Sequence, residues 1–214
     1  MHWSPIFSEL ARQSWYGGLD DQVRSVYGPL VAGVDEVGRG CLAGPVAVAA
    51  VILPAQTPLP GIDDSKQLTA KRRETLAEMI REHAIAWKVE FRSSARIDSI
   101  NILQATREAA SAAVVGLRLQ PDAVITDALD LDRVTMPVVP VVRGDSLSMS
   151  VAAASVLAKV ERDACMTDLD RDFPHYRFGE HKGYASPMHR DALCRFGPCP
   201  AHRLTFASVV PRTG

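Results

Sequence analysis

The sequence has few cysteines, almost no net charge and no long apolar run. Its four cysteines (Cys41, Cys165, Cys194, Cys199) are irregularly spaced, which argues against a disulfide framework and suits free thiols in a reducing cytoplasm. The net charge of -1 advertises no polyanion partner for the chain as a whole. No stretch approaches the about 18 apolar residues that a membrane-spanning helix needs. The opening MHWSPIFSELARQSW lacks a basic start followed by an apolar core, so no secretory signal is expected. There is no internal repeat and no low-complexity segment. A cytoplasmic, monomeric protein with no membrane attachment is expected.

The 214 residues suffice for one large domain, and a 47% hydrophobic content is ordinary for a globular protein. Residues 1–28 read as a helical lead-in, broken at Gly17-Gly18 and ended by Gly28-Pro29; residues 29–214 read as the main domain. Strand signals cover Leu30 to Val37, Pro45 to Leu53, Ala86 to Phe91, Ala123 to Thr126 and Pro137 to Val142. Helical spacing follows Thr69, an expected N-cap, with Leu76, Met79, Ile80 and His83 on one face. Further helices are expected over Asn101 to Leu117 and Ser148 to Asp170. Early adjacent strands followed by alternating strands and helices predict an α/β domain with a mixed sheet flanked by helices, plus a C-terminal helical portion.

Within VAGVDEVGRG, Asp35 and Glu36 interrupt an apolar strand. Neighbouring strand residues point to opposite faces, so both acids can serve one site only if the backbone turns at once, and Gly38 and Gly40 allow that. The alternative is an Asp35–Arg39 ion pair closing a turn. Asp127 ends the apolar run AVIT, and Asp145 follows PVVPVV through Arg-Gly. Singly, Asp127 reads as a turn acid, and Asp145 or Ser146 as a helix cap. Together, three strand ends carrying acids suggest a cluster where α/β folds place their sites. Four carboxylates without histidine or cysteine form a hard oxygen site that selects Mg²⁺ or Mn²⁺ over zinc. Two such ions about 3.5–4 Å apart would activate water and stabilise a leaving oxygen in phosphodiester hydrolysis.

Charge is also unevenly placed. From Phe173 onward there are six Lys or Arg against two acids, and four of the six histidines, which fits either phosphate contact or a solvated helical face. His189, Cys194, Cys199 and His202 follow at intervals of five, five and three, but without a tight Cys-x-x-Cys hook no zinc site is expected. The cysteines read as small core residues.

VAGVDEVGRG, DDSKQLTAKRR, INILQAT, VITDA, VVRGDS, AAASVLAKVERD, FPHYRFGEHKGY and the terminal HRLTF occur in order from Val31 to Phe206. By these motifs the chain resembles bacterial ribonuclease HII. The resemblance implies a ribonuclease H-like fold and an endonuclease that hydrolyses RNA strands in RNA–DNA hybrids and nicks duplex DNA at embedded ribonucleotides. It implies that Asp35, Glu36, Asp127 and Asp145 hold two divalent ions, Mg²⁺ or Mn²⁺. Gly38, Arg39 and Gly40 match the family loop that reads the ribose 2′-hydroxyl, the group that distinguishes RNA from DNA. Tyr184 matches the tyrosine that stacks on the sugar at an RNA-to-DNA junction. Ser65 and Lys66 match a loop near the substrate backbone, and Lys182, His202 and Arg203 are candidates for phosphate contact. One position departs: Ala128 stands where the family usually has glycine, which bears on the orientation of Asp127.

Three other readings compete. Ribonuclease HIII shares the fold, but its family carries an extra N-terminal domain and lysine at the Arg39 position. A non-catalytic hybrid-binding module has no use for four acids that repel phosphate. A metal phosphatase for small substrates has no use for a basic, tyrosine-bearing C-terminal segment. No short clamp-binding motif is evident at either end.

Overall fold

The structure is a computed structural model that describes residues 18–55, 59, 61–62 and 68–209. Five strands form one mixed sheet in the order β3-β2-β1-β4-β5. They are β1 (Val31–Val37), β2 (Val46–Ile52), β3 (Ala86–Arg92), β4 (Ala123–Asp127) and β5 (Val138–Val141). β1, β2 and β3 form an antiparallel meander, whereas β1, β4 and β5 run parallel, so the C-terminal ends of three adjacent strands share one edge of the sheet. This mixed sheet is the architecture the sequence predicts.

The helices are α1 (Gly18–Tyr27), α2 (Ala70–His83), α3 (Ser94–Ile100), α4 (Ile102–Val115), α5 (Met149–Asp172), α6 (Phe178–His181) and α7 (Pro187–Phe196). α5 and α2 cover one sheet face: Ala152, Ala153, Val156 and Leu157 pack with Ala49, Val51, Leu76 and Ile80. α4 covers the other through Ala109, Ala110, Ala113 and Val114, against Ala32, Val34, Val48 and Val124. Thr69 caps α2 as expected, accepting from the Arg72 amide. His83, by contrast, is exposed, because the buried stripe of α2 is Leu76, Ala77 and Ile80.

The described part of the lead-in is joined to the body. Gly18 opens α1, residues before it lie outside the described residues, and Leu19 and Val23 are fully buried with Val31, Ala123 and Ile125. Asp20 reaches across to the start of α5, accepting from the Met149 amide at 2.9 Å and the Ser150 amide at 3.2 Å. Ser148 supplies the cap itself, accepting from the Val151 amide at 3.2 Å. The first orphan amides of the longest helix are thus satisfied by Ser148 and Asp20. Asp145 is therefore no helix cap; it lies in a separate 3₁₀ turn, Gly144–Ser146.

The C-terminal portion packs on the far end of α5. Met166, Tyr176, Phe178, Ala192 and Ala201 enclose Ala43, which belongs to the β1–β2 connection. This contact brings the basic segment against the loop that follows Asp35 and Glu36. Of the cysteines, Cys41 is buried as expected of a core residue, whereas Cys194 is exposed on α7.

Candidate active site

β1 pairs in parallel with β4 up to Val34 opposite Thr126, so Asp35 and Asp127 come next on adjacent strands. Asp35 is buried on β1. Its carboxylate accepts from the Ser155 hydroxyl on α5 and from the Glu36 amide at 2.8 Å. These bonds do not offset its surroundings: burial first, then the charge of Glu36 and, to a smaller extent, that of Asp127, push its pKa up to about 8. Burial raises Glu36 as well, opposed by Arg39 and aided by Asp127. Asp127 Oδ1 accepts from the Gly144 amide at 3.0 Å, which ties the end of β4 to the turn carrying Asp145. Asp145 is itself buried beside Ser146, whose hydroxyl lies 3.4 Å from Oδ1.

The structure therefore brings Asp35, Glu36 and Asp127 into electrostatic contact and places Asp145 one residue from the amide that Asp127 binds. The donors are all oxygen and suit a hard divalent cation. As placed, however, no three Asp, Glu, His or Cys side chains among the described residues gather closely enough to hold a metal ion. The carboxylates are neighbours that are not closed around one point, as like charges facing each other tend to be.

Arg39 pairs with Glu36 at 3.0 Å, not with Asp35 as the turn-closing alternative had it. The geometry explains why: Asp35 turns into the sheet–helix interface while Glu36 reaches the cleft at the strand end. That cleft, of about 310 Å³, is lined by Glu36, Val37, Gly38, Arg73, Ser155, Lys159 and Tyr184. Gly38 has φ +95°, and a Cβ there would fall 2.1 Å from Arg162 Nε, so only glycine fits. Gly40 differs, since a Cβ would meet nothing within 4 Å. The fold does not require glycine at position 40.

Tyr184 is 45% exposed beside this cleft, with its hydroxyl hydrogen-bonded to Cys41. Lys182 is partly buried and donates through Nζ to the Asp163 carbonyl and to Thr167 Oγ1. Ser65 and Lys66 lie outside the described residues. Two expectations are corrected. Arg203 is 0% exposed and His202 is 2% exposed, so neither reaches a phosphate. Arg203 binds backbone carbonyls of Gly38, Arg39 and Gly44. His202 lies with Nε2 3.0 Å from His189 Nε2, and burial, aided by His189, pushes it down to about 4, so it is neutral at pH 7.

Ser155, Lys159 and Arg162 went unassigned in the sequence. All three fall in AAASVLAKVERD at i, i+4 and i+7, one face of a helix, and that spacing was the signal available.

The family model for ribonuclease HII matches residues 32–209. Among curated relatives, ribonuclease HII of Geobacter metallireducens is 45% identical over 205 residues, covering 96% of each chain. That of Ruminiclostridium cellulolyticum is 47% identical over 176 residues, covering 82% of this chain and 69% of the relative. Among solved structures, ribonuclease H2 from Pyrococcus horikoshii superposes with a TM-score of 0.74 at 26% identity, covering 84% of this chain and 95% of that one. The ribonuclease HII of Archaeoglobus fulgidus, solved with PCNA, gives 0.72 at 30% identity, covering 83% and 95%.

Proposed function

The chain belongs to the ribonuclease HII family and is an endoribonuclease of the ribonuclease H type, and from that premise we propose how its site works. The substrates are the RNA strand of RNA–DNA hybrids and duplex DNA with embedded ribonucleotides. Cleavage falls on the 5′ side of the ribonucleotide and leaves a 3′-hydroxyl and a 5′-phosphate. Asp35, Glu36, Asp127 and Asp145 hold two divalent ions, Mg²⁺ or Mn²⁺. One observation carries this reading: the fold brings Asp35, Glu36 and Asp127 together at the ends of adjacent parallel strands, where burial and mutual charge push Asp35 up to about 8. Ionised acids buried side by side are costly, and a bound cation would relieve that cost.

When bound, such ions supply an activated water and neutralise charge at the scissile phosphate. The protein's own residues do the rest. Ser155 and the Glu36 amide orient the Asp35 carboxylate, and the Gly144 amide orients Asp127. Arg39 steadies Glu36. The loop at Gly38, Arg39 and Gly40, of which Arg39 and Gly40 are exposed, reads the ribose 2′-hydroxyl at close range. Tyr184, half-exposed at the same cleft, stacks on the following deoxyribose, where an added 2′-hydroxyl would crowd the ring.

The test is a DNA duplex containing one ribonucleotide, with and without Mg²⁺, with the product ends mapped. A nick 5′ of the ribonucleotide, with a 3′-hydroxyl, is expected only with metal. A 2′,3′-cyclic phosphate end, or cleavage that survives EDTA, would sink the reading.

A further inference from the structure

Arg162 and Arg203 are the two largest fully buried side chains of the described residues. Burying a guanidinium is costly unless every donor is met, and the usual partner is a carboxylate. Neither arginine has an ion-pair partner among the described residues. Both are held by backbone carbonyls instead. Arg203 binds those of Gly38, Arg39 and Gly44, all on the β1–β2 connection. Arg162 spans two segments: Nε donates to Pro45 at 2.9 Å and Nη2 to Ala43 at 3.2 Å, while Nη1 donates to Lys182 at 2.9 Å.

The second segment is the one that ends in Tyr184. Gly183 has φ +81°, and a Cβ there would fall 2.3 Å from the Ala43 carbonyl, so the two segments touch backbone to backbone. The Leu42 amide donates to the Gly183 carbonyl at 2.8 Å. The Arg162 guanidinium carbon lies 6.0 Å from the centre of the Tyr184 ring, and its Nε lies against Gly38. One planar, permanently charged group with rigidly forked donors thus sits between the loop that precedes Arg39 and the segment that carries Tyr184.

We propose that Arg162 is a positioning residue that fixes the spacing between the Gly38–Gly40 loop and Tyr184, and so sets the preference for a single ribonucleotide followed by deoxyribose. The inference rests on the reading that the loop senses the 2′-hydroxyl and Tyr184 the next sugar. Two sensors on separate segments report on adjacent nucleotides only if their separation is fixed. Arg203 lacks this role because its bonds stay within one segment.

The experiment uses the full chain with Arg162→Lys, which keeps the charge and loses the fork, beside Arg203→Lys. kcat/KM is measured on a duplex with one ribonucleotide and on a continuous hybrid, together with amide hydrogen exchange. For Arg162→Lys, the single-ribonucleotide value should fall about ten- to a hundredfold and the hybrid value by less than about threefold, as misplacement by about an ångström does. Exchange should rise together over 38–45 and 182–184, with β4 unchanged. Arg203→Lys should raise exchange over 38–45 alone. Equal losses on both substrates, or an unchanged ratio, overturn the proposal. If Arg162→Lys does not fold, exchange in the wild type decides: one shared opening for 38–45 and 182–184 supports it, and separate openings overturn it. A wild type that fails to cut at a single ribonucleotide sinks the underlying reading instead, and the exchange result still judges the coupling.

Discussion

Two groups of like charge lie close together in this molecule, and the fold treats them in opposite ways. At the ends of β1 and β4 the acids are buried beside one another, so that Asp35 is pushed up to about 8. A short distance along, Arg162 and Arg203 are buried more deeply, yet every fork is filled by backbone carbonyls. Charge that the protein satisfies for itself gives shape. Like charge that it crowds together favours a counter-charge from outside. On the proposed reading, the acids would bind the reaction's ions and the arginines would hold the surface that selects the substrate.

The largest effect should come from removing an acid. Asp35→Asn or Asp145→Asn keeps the shape and loses a charged ligand, so cleavage of an RNA–DNA hybrid should fall by orders of magnitude while circular dichroism stays native. Asp130→Asn, at an exposed turn, is the control and should retain activity. Near-wild-type turnover in both site variants would dissolve the contrast at its acidic end.

The same variant has a stability signature. The Asp35 carboxyl titrates near its ordinary 3.8 in the unfolded chain and at about 8 in the folded one, so the folded state binds the proton more tightly. The penalty is absent below the unfolded value, grows as pH rises through that window and is complete above the folded value. In chelator, Asp35→Asn should therefore melt higher than wild type at pH 8, by at least about 3 °C, with the advantage vanishing towards pH 4. A flat difference across this range would mean that Asp35 is already compensated.

Arg203 tests the other end. Arg203→Ala removes the guanidinium donors from three carbonyls of the loop in a buried space, and should cost about 3 kcal/mol or more. Were Arg203 a phosphate contact, the melting temperature would hold and the salt dependence of hybrid binding would lose about one unit of slope. Thermal melts and binding titrations in salt separate the two outcomes.

The misplacement of Arg203 and His202 shows what was legible in the sequence. The strands, the cap at Thr69 and the acids at strand ends could be read because each rests on local pattern: alternation, helical period, an apolar run stopped by Asp. Burial of a basic residue in the last forty positions is set by contacts with the β1–β2 connection, more than a hundred residues away, and local pattern carries no trace of it. The same holds for Arg162, whose partners on the β1–β2 connection lie 117 and 119 residues away. Asp145 was ambiguous only until Ser148 and Asp20 proved to satisfy the helix start, and Asp20 does so from 129 residues away.

Tyr184 lies between the two regions and should show an intermediate effect. Stacking on an aromatic ring is worth about 1–3 kcal/mol, so Tyr184→Ala should cut cleavage at one ribonucleotide about ten- to a hundredfold, with a smaller loss on a continuous hybrid. Tyr184→Phe removes the hydroxyl that meets Cys41 and should be mild if stacking dominates. Equal losses on the two substrates would assign the ring to general binding.

The smallest effect concerns a cost of another kind at the acidic end. Ala128, directly after Asp127, has φ +50°, in the left-handed region where a Cβ is unfavourable by about 1–2 kcal/mol. Its amide is held by the Val141 carbonyl at 3.1 Å, so the turn cannot relax without giving up a bond that joins β4 to β5. Glycine relieves the strain and gives back about 0.4–1 kcal/mol through a freer unfolded chain. Ala128→Gly should therefore stabilise by about 0.5 kcal/mol, a rise of about 1–2 °C, with cleavage unchanged because Asp127 remains fixed by the Gly144 amide. Ala128→Val adds a β-branch in the same conformation and should lower the melting temperature and, by tilting Asp127, the activity. If the valine variant melts as the wild type does, position 128 carries no strain, and the cost at this end of the sheet lies in its charges alone.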